Sequence, residues 1–247
     1  MFRGTCYDWR NVNKGTTQGS ASGPYIFNLF INDLEIENSS HTHLIKYADD
    51  SSLSVEFTTS DLDESSNVIK QYMAWSCSNY MPCNLTKCKE LILREKCYVE
   101  SLDPIYHICQ AEYLKLLGIT FQSNCRILEH IKLKLVEANK CVFVIRNLRN
   151  EGYNQTEIDH IFNTIVLPKI TYGLSIYAAS PPELTIVQQF FHRCFKRGHK
   201  SKSLDIYNLL EIYDYSIFNR ISKQAVHPLR DLNVVCCVGR VEIQIEI

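Results

Sequence analysis

The sequence predicts an α+β fold in which strands and helices alternate up to about residue 124 and an all-helical region follows. Alternating apolar residues, which are typical of half-buried strands, recur in the first half of the chain. Apolar residues at helical spacing dominate the second half, most clearly between Ile131 and Leu148. With 247 residues, of which 45% are hydrophobic, the chain can bury a core without disulfides or structural metals.

The first half begins with a lead-in of 14 residues that carries no clear periodicity. A loop of small residues, 15–23, comes next, and Pro24 marks the start of a helix that Ser22 or Gly23 caps. We expect this helix to be largely buried, because it is rich in apolar residues: Ile26, Phe27, Leu29, Phe30, Ile31 and Leu34.

A β-hairpin is predicted with Asp49 and Asp50 at its tip, because apolar residues alternate on both sides of them. These residues are Leu44, Ile45 and Tyr47 before the turn and Leu53, Val55 and Phe57 after it. Ser60 is then predicted to cap a helix with acidic residues in its first turns, where the helix dipole favours them: Asp61, Asp63 and Glu64. Its buried face is predicted to be Leu62, Ile69, Tyr72, Met73 and Trp75.

Two short strands are predicted near residues 90–93 and 113–121, and Gly118 marks a tight bend within the second. Four helices are predicted after them: 131–148, a helix from a capping box at Asn154 and Glu157 to Val166, one that starts at Pro181-Pro182, and one near 204–212. The apolar residues after Leu232 alternate only weakly, so no structure is assigned to this tail.

Acidic and basic residues are segregated along the chain, although the formal net charge is only −1. Acidic residues dominate between Asp33 and Glu64, and basic residues dominate in 126–149 and 192–202. This division is typical of a metal-binding face beside a region that holds a phosphate backbone, and equally of two solvated helix faces. The eleven cysteines include no Cys-x-x-Cys pair, and neither a signal peptide nor a transmembrane run is recognisable. We therefore expect an intracellular, non-secreted protein of the nucleus or cytoplasm, with free thiols, no disulfide partner and no membrane contact.

Asp49 and Asp50 are the strongest candidates for chemistry. Two carboxylates about 4 Å apart repel by roughly 1 kcal/mol in water and about 4 kcal/mol in a protein-like dielectric. A cation relieves this repulsion, and carboxylate oxygens at a strand turn suit Mg²⁺, which keeps water and substrate phosphates as its other ligands. The alternative is an ordinary Asp-Asp turn without a ligand.

Four segments of the chain together carry a resemblance to a known family. The first two are GTTQGSASGP at 15–24, running into FNLFINDL at 27–34, and YADD at 47–50. The other two are NLTKCK at 84–89 and YLKLLGI at 113–119. In this order they resemble the second to fifth conserved blocks of the reverse transcriptases of non-LTR (LINE-type) retrotransposons. The helical stretch 126–225 resembles the thumb of these enzymes and the segment after it.

The resemblance implies an incomplete right-hand polymerase palm, a small antiparallel sheet with helices, over residues 15–124. It implies an all-α thumb and following segment over 125–232, and it leaves residues 1–14 and 233–247 unassigned. The implied activity is RNA-directed DNA polymerisation, a nucleotidyl transfer that uses an RNA template, a DNA primer and deoxynucleoside triphosphates. In such enzymes two Mg²⁺ (or Mn²⁺) ions activate the primer 3′-hydroxyl and stabilise the leaving pyrophosphate, and Asp49 and Asp50 match residues that hold them.

The resemblance also implies roles for individual side chains. Residues matched to template and nucleotide binding are Gln18, Gly19, Ser20, Tyr47 and Lys87. Residues matched to primer and duplex binding are Leu117, Gly118, Lys132, Lys134, Arg193, Lys196 and Arg197. The amide of Gln18 both donates and accepts hydrogen bonds, so it can hold a minor-groove edge without reading sequence. The plainer alternatives are a polar loop residue at Gln18, a core residue at Tyr47 and a solvated lysine at Lys87.

The sequence departs from the family pattern in one serious respect. Thr17 and Ser22 replace a proline and a leucine, which a loop tolerates, but nothing before Gly15 resembles the first block with its further metal-binding aspartate. Asp8 lacks that setting. We therefore expect the chain, expressed alone, to extend primers very poorly or not at all. The alternative function is a catalytically inactive retrotransposon remnant that binds nucleic acid only; a helical interaction protein would require the four ordered segments to be accidental.

Overall fold

The computed structural model describes residues 19–37, 41–57, 63–94, 102–105, 107–177, 179–224 and 239–246. These residues form a mixed α+β fold with two small sheets, and this confirms the fold class at that level. The first half contains α1 (Gly23–Phe30), β1 (Thr42–Tyr47), β2 (Asp50–Phe57), α2 (Ser65–Ser78), β3 (Lys89–Arg94), β4 (Cys109–Gln110), β5 (Tyr113–Leu116) and β6 (Ile119–Gln122). The second half contains α3 (Leu128–Asn150), α4 (Gln155–Ile161), a π-helical segment (Phe162–Val166), α5 (Leu167–Thr171), α6 (Leu174–Tyr177), α7 (Pro181–Lys196), α8 (Ile206–Lys223) and β7 (Gly239–Glu246).

The main sheet has the strand order β1-β2-β7-β3-β4, so its middle strand comes from the end of the chain. β7 pairs antiparallel with the whole of β2, from Asp50 opposite Glu246 to Phe57 opposite Gly239. Its other side pairs antiparallel with β3, and β4 adds two parallel pairs beyond. The strand β7 lies in the tail to which the sequence assigned no structure. We call α1, α2 and this five-stranded sheet the sheet unit.

Helix α2 packs against one face of the five-stranded sheet. Val68, Ile69 and Tyr72 of α2 are buried in one apolar cluster with Leu53 and Val55 of β2. The predicted start of this helix is wrong: α2 begins at Ser65, and Ser60 to Leu62 lie outside the described residues. A carboxylate oxygen of Asp63 accepts a hydrogen bond from the backbone N–H of Ser65 at 2.9 Å, so this acid precedes the helix instead of lying in its first turn.

The expected burial of α1 is also wrong. The helix begins at Gly23 and ends at Phe30, four residues before Leu34, and Gly23 is its only buried residue. Tyr25 and Leu29 expose 74% and 76% of their surface, whereas Ile31 and Leu34, which follow the helix, are buried. The apolar residues of α1 point to several sides of the helix, so its composition does not specify which side meets the core.

The second half forms a helical unit, α3 to α8, with one apolar core. The capping box of Asn154 and Glu157 is confirmed, but the helical run continues past Val166 to Thr171. A π-helical segment precedes Pro168, which lacks an N–H and crowds the carbonyl four residues earlier. Helix α7 begins at Pro181 as predicted, and α8 extends well beyond residue 212.

The hairpin of β5 and β6 lies between the two units. Residues 113–121, predicted as one bent strand, form both of its strands with Gly118 in the turn between them. In the described part of the chain, no helix has the length and apolar character needed to cross a membrane.

Candidate active site

Asp49 and Asp50 lie at a tight hairpin turn, as the sequence predicts. β1 and β2 pair antiparallel from Thr42 opposite Val55 to Tyr47 opposite Asp50, so Ala48 and Asp49 alone connect the strands. Ala48 adopts a left-handed backbone with φ of 53°, which short hairpin turns require. Asp49 is exposed and Asp50 is half-buried. We call residues 47–50 the acid turn.

Lys46 connects the acid turn to α1. Its ammonium Nζ donates hydrogen bonds to the carbonyl oxygens of Ile31 at 2.8 Å and Leu34 at 3.0 Å. Carbonyls that follow a helix lack partners within the helix, and a lysine satisfies them while its charge opposes the negative end of the dipole. Lys46 therefore holds the end of α1 against β1. Sequence reasoning gave Lys46 no role; a lone lysine in an apolar strand just after a helix end was the available signal.

Strand β2, which begins at Asp50, packs against α2 on one face and pairs with β7 on the edge that faces away from β1. Ser51, Leu53 and Val55 are buried, and Tyr72 of α2 lies in the same buried layer, where burial raises the pKa of its hydroxyl to about 12. On the other edge of β2, the backbone of Glu246 is in register with Asp50. Pairing on both sides fixes the backbone of β2 up to the acid turn.

The residues matched to nucleotide binding are only partly described. Gln18 lies outside the described residues. Gly19 has a φ of 81°, and no atom of the described residues lies within 4 Å of where a Cβ would stand. Ser20 Oγ accepts a hydrogen bond from the N–H of Gly23 at 3.0 Å. Tyr47 exposes 62% of its surface and is therefore not a core residue. Lys87 lies in a turn before β3, where its N–H donates to the carbonyl of Asn84 at 2.9 Å.

Leu117 and Gly118 form the turn of the β5–β6 hairpin, which is anchored to the helical unit. Both have positive φ, 46° and 84°. The Tyr172 hydroxyl donates to the Leu117 carbonyl at 2.6 Å, and a Cβ at Gly118 would lie 3.3 Å from Tyr172 Cε1. The imidazole of His130 in α3 also contacts this region: Nδ1 accepts from the N–H of Thr120 at 3.2 Å, and Nε2 donates to the Tyr172 carbonyl at 2.9 Å.

The residues matched to duplex binding fall into two groups. Lys132 and Lys134 lie near the start of α3 and form ion pairs with Glu129 at 2.6 Å and Glu137 at 3.5 Å. The second group is exposed at the end of α7 and consists of Arg193, Lys196 and Arg197.

Contacts at both ends of α3 and α7 show that these helices run in the same direction. The N–H of Ile127 donates to Glu183 Oε1 at 3.2 Å at one end, and Arg149 Nη1 donates to the Gly198 carbonyl at 2.9 Å at the other. A helix rises about 1.5 Å per residue, so Lys132 lies about 25 Å along α3 from Arg149. The structure therefore does not bring the two groups together.

The donor chemistry of the acid turn fits a divalent cation. Asp49 and Asp50 offer hard carboxylate oxygens, and two carboxylates leave room for the water and phosphate ligands that Mg²⁺ retains. Within the described ranges, no cluster of three or more His, Cys, Asp or Glu side chains is arranged to hold a metal.

Comparison with known proteins gives one result. No curated protein and no solved structure matches the chain. Residues 1–121, which contain the acid turn and all strands up to β5, match the family model of reverse transcriptase (RNA-dependent DNA polymerase).

Proposed function

We propose that the chain is a palm and thumb portion of an RNA-directed DNA polymerase of the non-LTR retrotransposon type. The observation that carries the proposal is the acid turn, in which Asp49 and Asp50 stand at a hairpin tip that Lys46 fixes against α1. The family match over residues 1–121 supports reverse transcription at the family level. The order of the four sequence segments supports the non-LTR type.

In this proposal Asp49 and Asp50 hold Mg²⁺ or Mn²⁺. Ions held there would supply activation of the primer 3′-hydroxyl and neutralisation of the charge that develops on the leaving pyrophosphate. Tyr47 offers an exposed ring beside the acids, and Gly19 leaves space for a nucleic acid to approach the backbone. Gln18 holds the template base, and Lys87 neutralises the triphosphate.

Duplex binding in this proposal falls to Leu117 and Gly118 for the primer strand and to the two basic groups of the helical unit for the phosphates. Lys132 and Lys134 already have acidic partners, so phosphate contacts there replace existing ion pairs. The last turn of α7 also carries arginine and lysine. None of these residues takes part in an ion pair among the described residues. We therefore assign the larger share of backbone binding to the second group.

Template-primed extension with the full chain tests the proposal. Asp49→Ala is expected to reduce any extension by at least about 100-fold, the order of effect seen when one group that stabilises transition-state charge is removed. Asp214→Ala serves as the matched control, because Asp214 is an exposed acid on α8. Extension that persists in Asp49→Ala contradicts the catalytic assignment.

Cation binding provides a readout that does not depend on turnover. Mn²⁺ titration followed by electron paramagnetic resonance is expected to show binding to the wild type and to Asp214→Ala, with weaker binding in Asp49→Ala. Equal Mn²⁺ binding by all three proteins contradicts the metal assignment. If neither extension nor Mn²⁺ binding occurs while an RNA–DNA duplex still binds, the nucleic-acid-binding remnant is the correct function.

A further inference from the structure

A groove in the helical unit runs between α8 and the segment that leads from α6 into α7. Its volume is about 640 Å³, and every described residue that lines it belongs to the helical unit. Leu174, Ala179 and Leu184 supply an apolar lining on one side, and residues of α8 supply the other. The groove therefore shares no residue with the acid turn or with the two basic groups.

The side of the groove formed by α8 carries exposed aromatic rings. Tyr207, Glu211, Asp214 and Phe218 follow one another at intervals of four, three and four residues, so they form a row along one side of the helix. An aromatic ring stands at each end of this row, roughly 16 Å apart at about 1.5 Å per residue. Tyr215 lies beside the row, and Tyr215 and Phe218 expose 68% and 66% of their surface. Exposed rings that line one groove are typical of a surface that a partner covers.

The packing of α8 leaves the row uncovered. Among the 18 residues of α8, all of which the structure describes, only Ile206 is buried. Leu209 and Leu210 are partly buried against the core of the helical unit. The Tyr207 hydroxyl donates to the Pro181 carbonyl at 3.4 Å, which links α8 to the start of α7 at one end of the row. The helix is thus held at its beginning, and its later rings remain available for a partner.

The groove is acidic. Glu211 and Asp214 lie between the aromatic ends of the row, and none of the described residues that line the groove is basic. Neither carboxylate forms an ion pair with another described residue. The basic residues of α8, Arg220 and Lys223, lie on the opposite side of the helix, because one turn takes about 3.6 residues. The groove therefore attracts cations and repels the phosphates of a nucleic acid.

We propose that this groove binds a basic amphipathic segment of a partner protein, with an arginine against Glu211 and apolar side chains on Leu174 and Leu184. A guanidinium group pairs with a carboxylate through two parallel hydrogen bonds, and its flat face stacks on an aromatic ring such as Tyr215 or Phe218. The apolar lining and the length of the row suit a helix of about three turns laid along α8. This interaction goes beyond polymerisation, because it uses neither the acid turn nor the residues assigned to the duplex.

The probe is a fluorescein-labelled helical peptide with leucines along one face and arginines beside them, and fluorescence anisotropy measures its binding to the full chain. An otherwise identical peptide carries citrulline in place of arginine, which keeps the shape and removes the charge. We expect saturable binding of the arginine peptide and at least about tenfold weaker binding of the citrulline peptide, the usual contribution of one charged hydrogen bond.

Two variants test the groove itself. Glu211→Gln is expected to weaken binding of the arginine peptide by about tenfold and to leave binding of the citrulline peptide unchanged. Phe218→Ala, which removes apolar surface as well as a stacking face, is expected to weaken binding of both peptides. Both residues are exposed, so folding is expected to persist, and circular dichroism checks the helical content. Glu151→Gln, the same charge change at an exposed position just after α3, is the matched control and is expected to bind both peptides as the wild type does.

Three outcomes overturn the proposal. The first is equal binding of the two peptides by the wild type, and the second is an equal loss of binding in Glu211→Gln and Glu151→Gln. The third is no binding at all, the result expected if another part of the chain covers the groove. Sedimentation of the full chain tests a second copy as the occupant: we expect one mass at all concentrations. A mass that rises with concentration in the wild type and not in Phe218→Ala assigns the groove to a second copy and also overturns the proposal.

Discussion

The sheet unit and the helical unit are assembled in different ways. The helical unit consists of consecutive helices between Leu128 and Lys223 that share one apolar core. The sheet unit takes its middle strand, β7, from beyond the helical unit, and in the described residues only β7 joins β2 to β3. Closing so long a loop costs entropy before β7 can pair with β2 or β3. One of the two pairings of β2, the strand that carries Asp50, therefore depends on a segment far along the chain, whereas the helical unit depends on neighbouring segments.

Proline in the middle of β7 is the sharpest way to break the sheet unit alone. Ile243 pairs with Leu53 on one side and Glu90 on the other, and a proline there removes a backbone donor from an interior strand. We expect Ile243→Pro to remove hydrogen-exchange protection from β1, β2 and β3 and to abolish Mn²⁺ binding, while α3 and α7 stay protected. Ile243→Val, which keeps the donor and the β-branch, is expected to resemble the wild type. Protected β2 amides in the proline variant contradict this interdependence.

The reverse experiment weakens the helical unit. Phe162 is fully buried in the π-helical segment, and truncation of a buried phenylalanine costs about 3–5 kcal/mol. We expect Phe162→Ala to lower the free energy of unfolding of the helical unit by this amount, measured by denaturant titration. Exchange protection of β2 is expected to change little, since Phe162 belongs to a separate core. The neighbouring exposed residue provides the control, Asn163→Ala.

The two units also differ in how far their sequences predict them. Local signals sufficed for the helical unit: the capping box at Asn154, the start at Pro181 and the stripe from Ile131 to Leu148 all appear in the structure. Local signals likewise placed the acid turn, because alternation on both sides of a short turn specifies a hairpin. These features share one property, that the residues which determine them lie close together in sequence.

The features that the sequence did not predict lie in the sheet unit: the partners of β7, the exposure of α1 and the start of α2. Alternation at Val241, Ile243 and Ile245 allows a strand, but no local feature identifies β2 and β3 as its partners. The predicted burial of α1 was wrong because the composition of a helix does not determine whether another element packs against it. The predicted start of α2 was wrong because Ser60 is a good capping residue in the sequence, whereas the helix begins after Glu64, whose side chain makes no capping hydrogen bond.

Acid is expected to weaken the helical unit through His130. Its buried ring accepts a hydrogen bond from Thr120 and donates one to Tyr172, so protonation breaks the first bond, and burial lowers the pKa of His130. In the unfolded state His130 has a pKa of about 6.5, so below that pH the unfolded state binds more protons than the folded state. As the pH is lowered from 6.5, the stability therefore falls until the pKa of the folded state is reached. The slope is at most about 1.4 kcal/mol per pH unit for one group.

Denaturant titrations at pH 7.5 and 5.5 measure this dependence. The pKa of His199 is also lowered, so it contributes in the same direction, and His130→Gln isolates the share of His130. Glutamine retains a donor and an acceptor but does not titrate in this range. A wild type and a His130→Gln variant with identical pH dependence would exclude His130 as the source.

The smallest expected effect concerns the junction of the two units. The Tyr172 hydroxyl, although the residue is 48% exposed, donates to the Leu117 carbonyl at 2.6 Å and holds the β5–β6 turn against the helical unit. Tyr172→Phe is expected to cost about 0.5–1.5 kcal/mol, toward the lower end because water can replace the bond. The loss is expected to raise the exchange rates of the amides of Ile119 and Thr120 and to leave the α3 core unchanged. Tyr207→Phe, which removes an exposed hydroxyl with a longer bond of 3.4 Å to Pro181, is the control. If both variants change exchange equally, the turn is held by backbone geometry at Leu117 and Gly118 instead of by the hydroxyl.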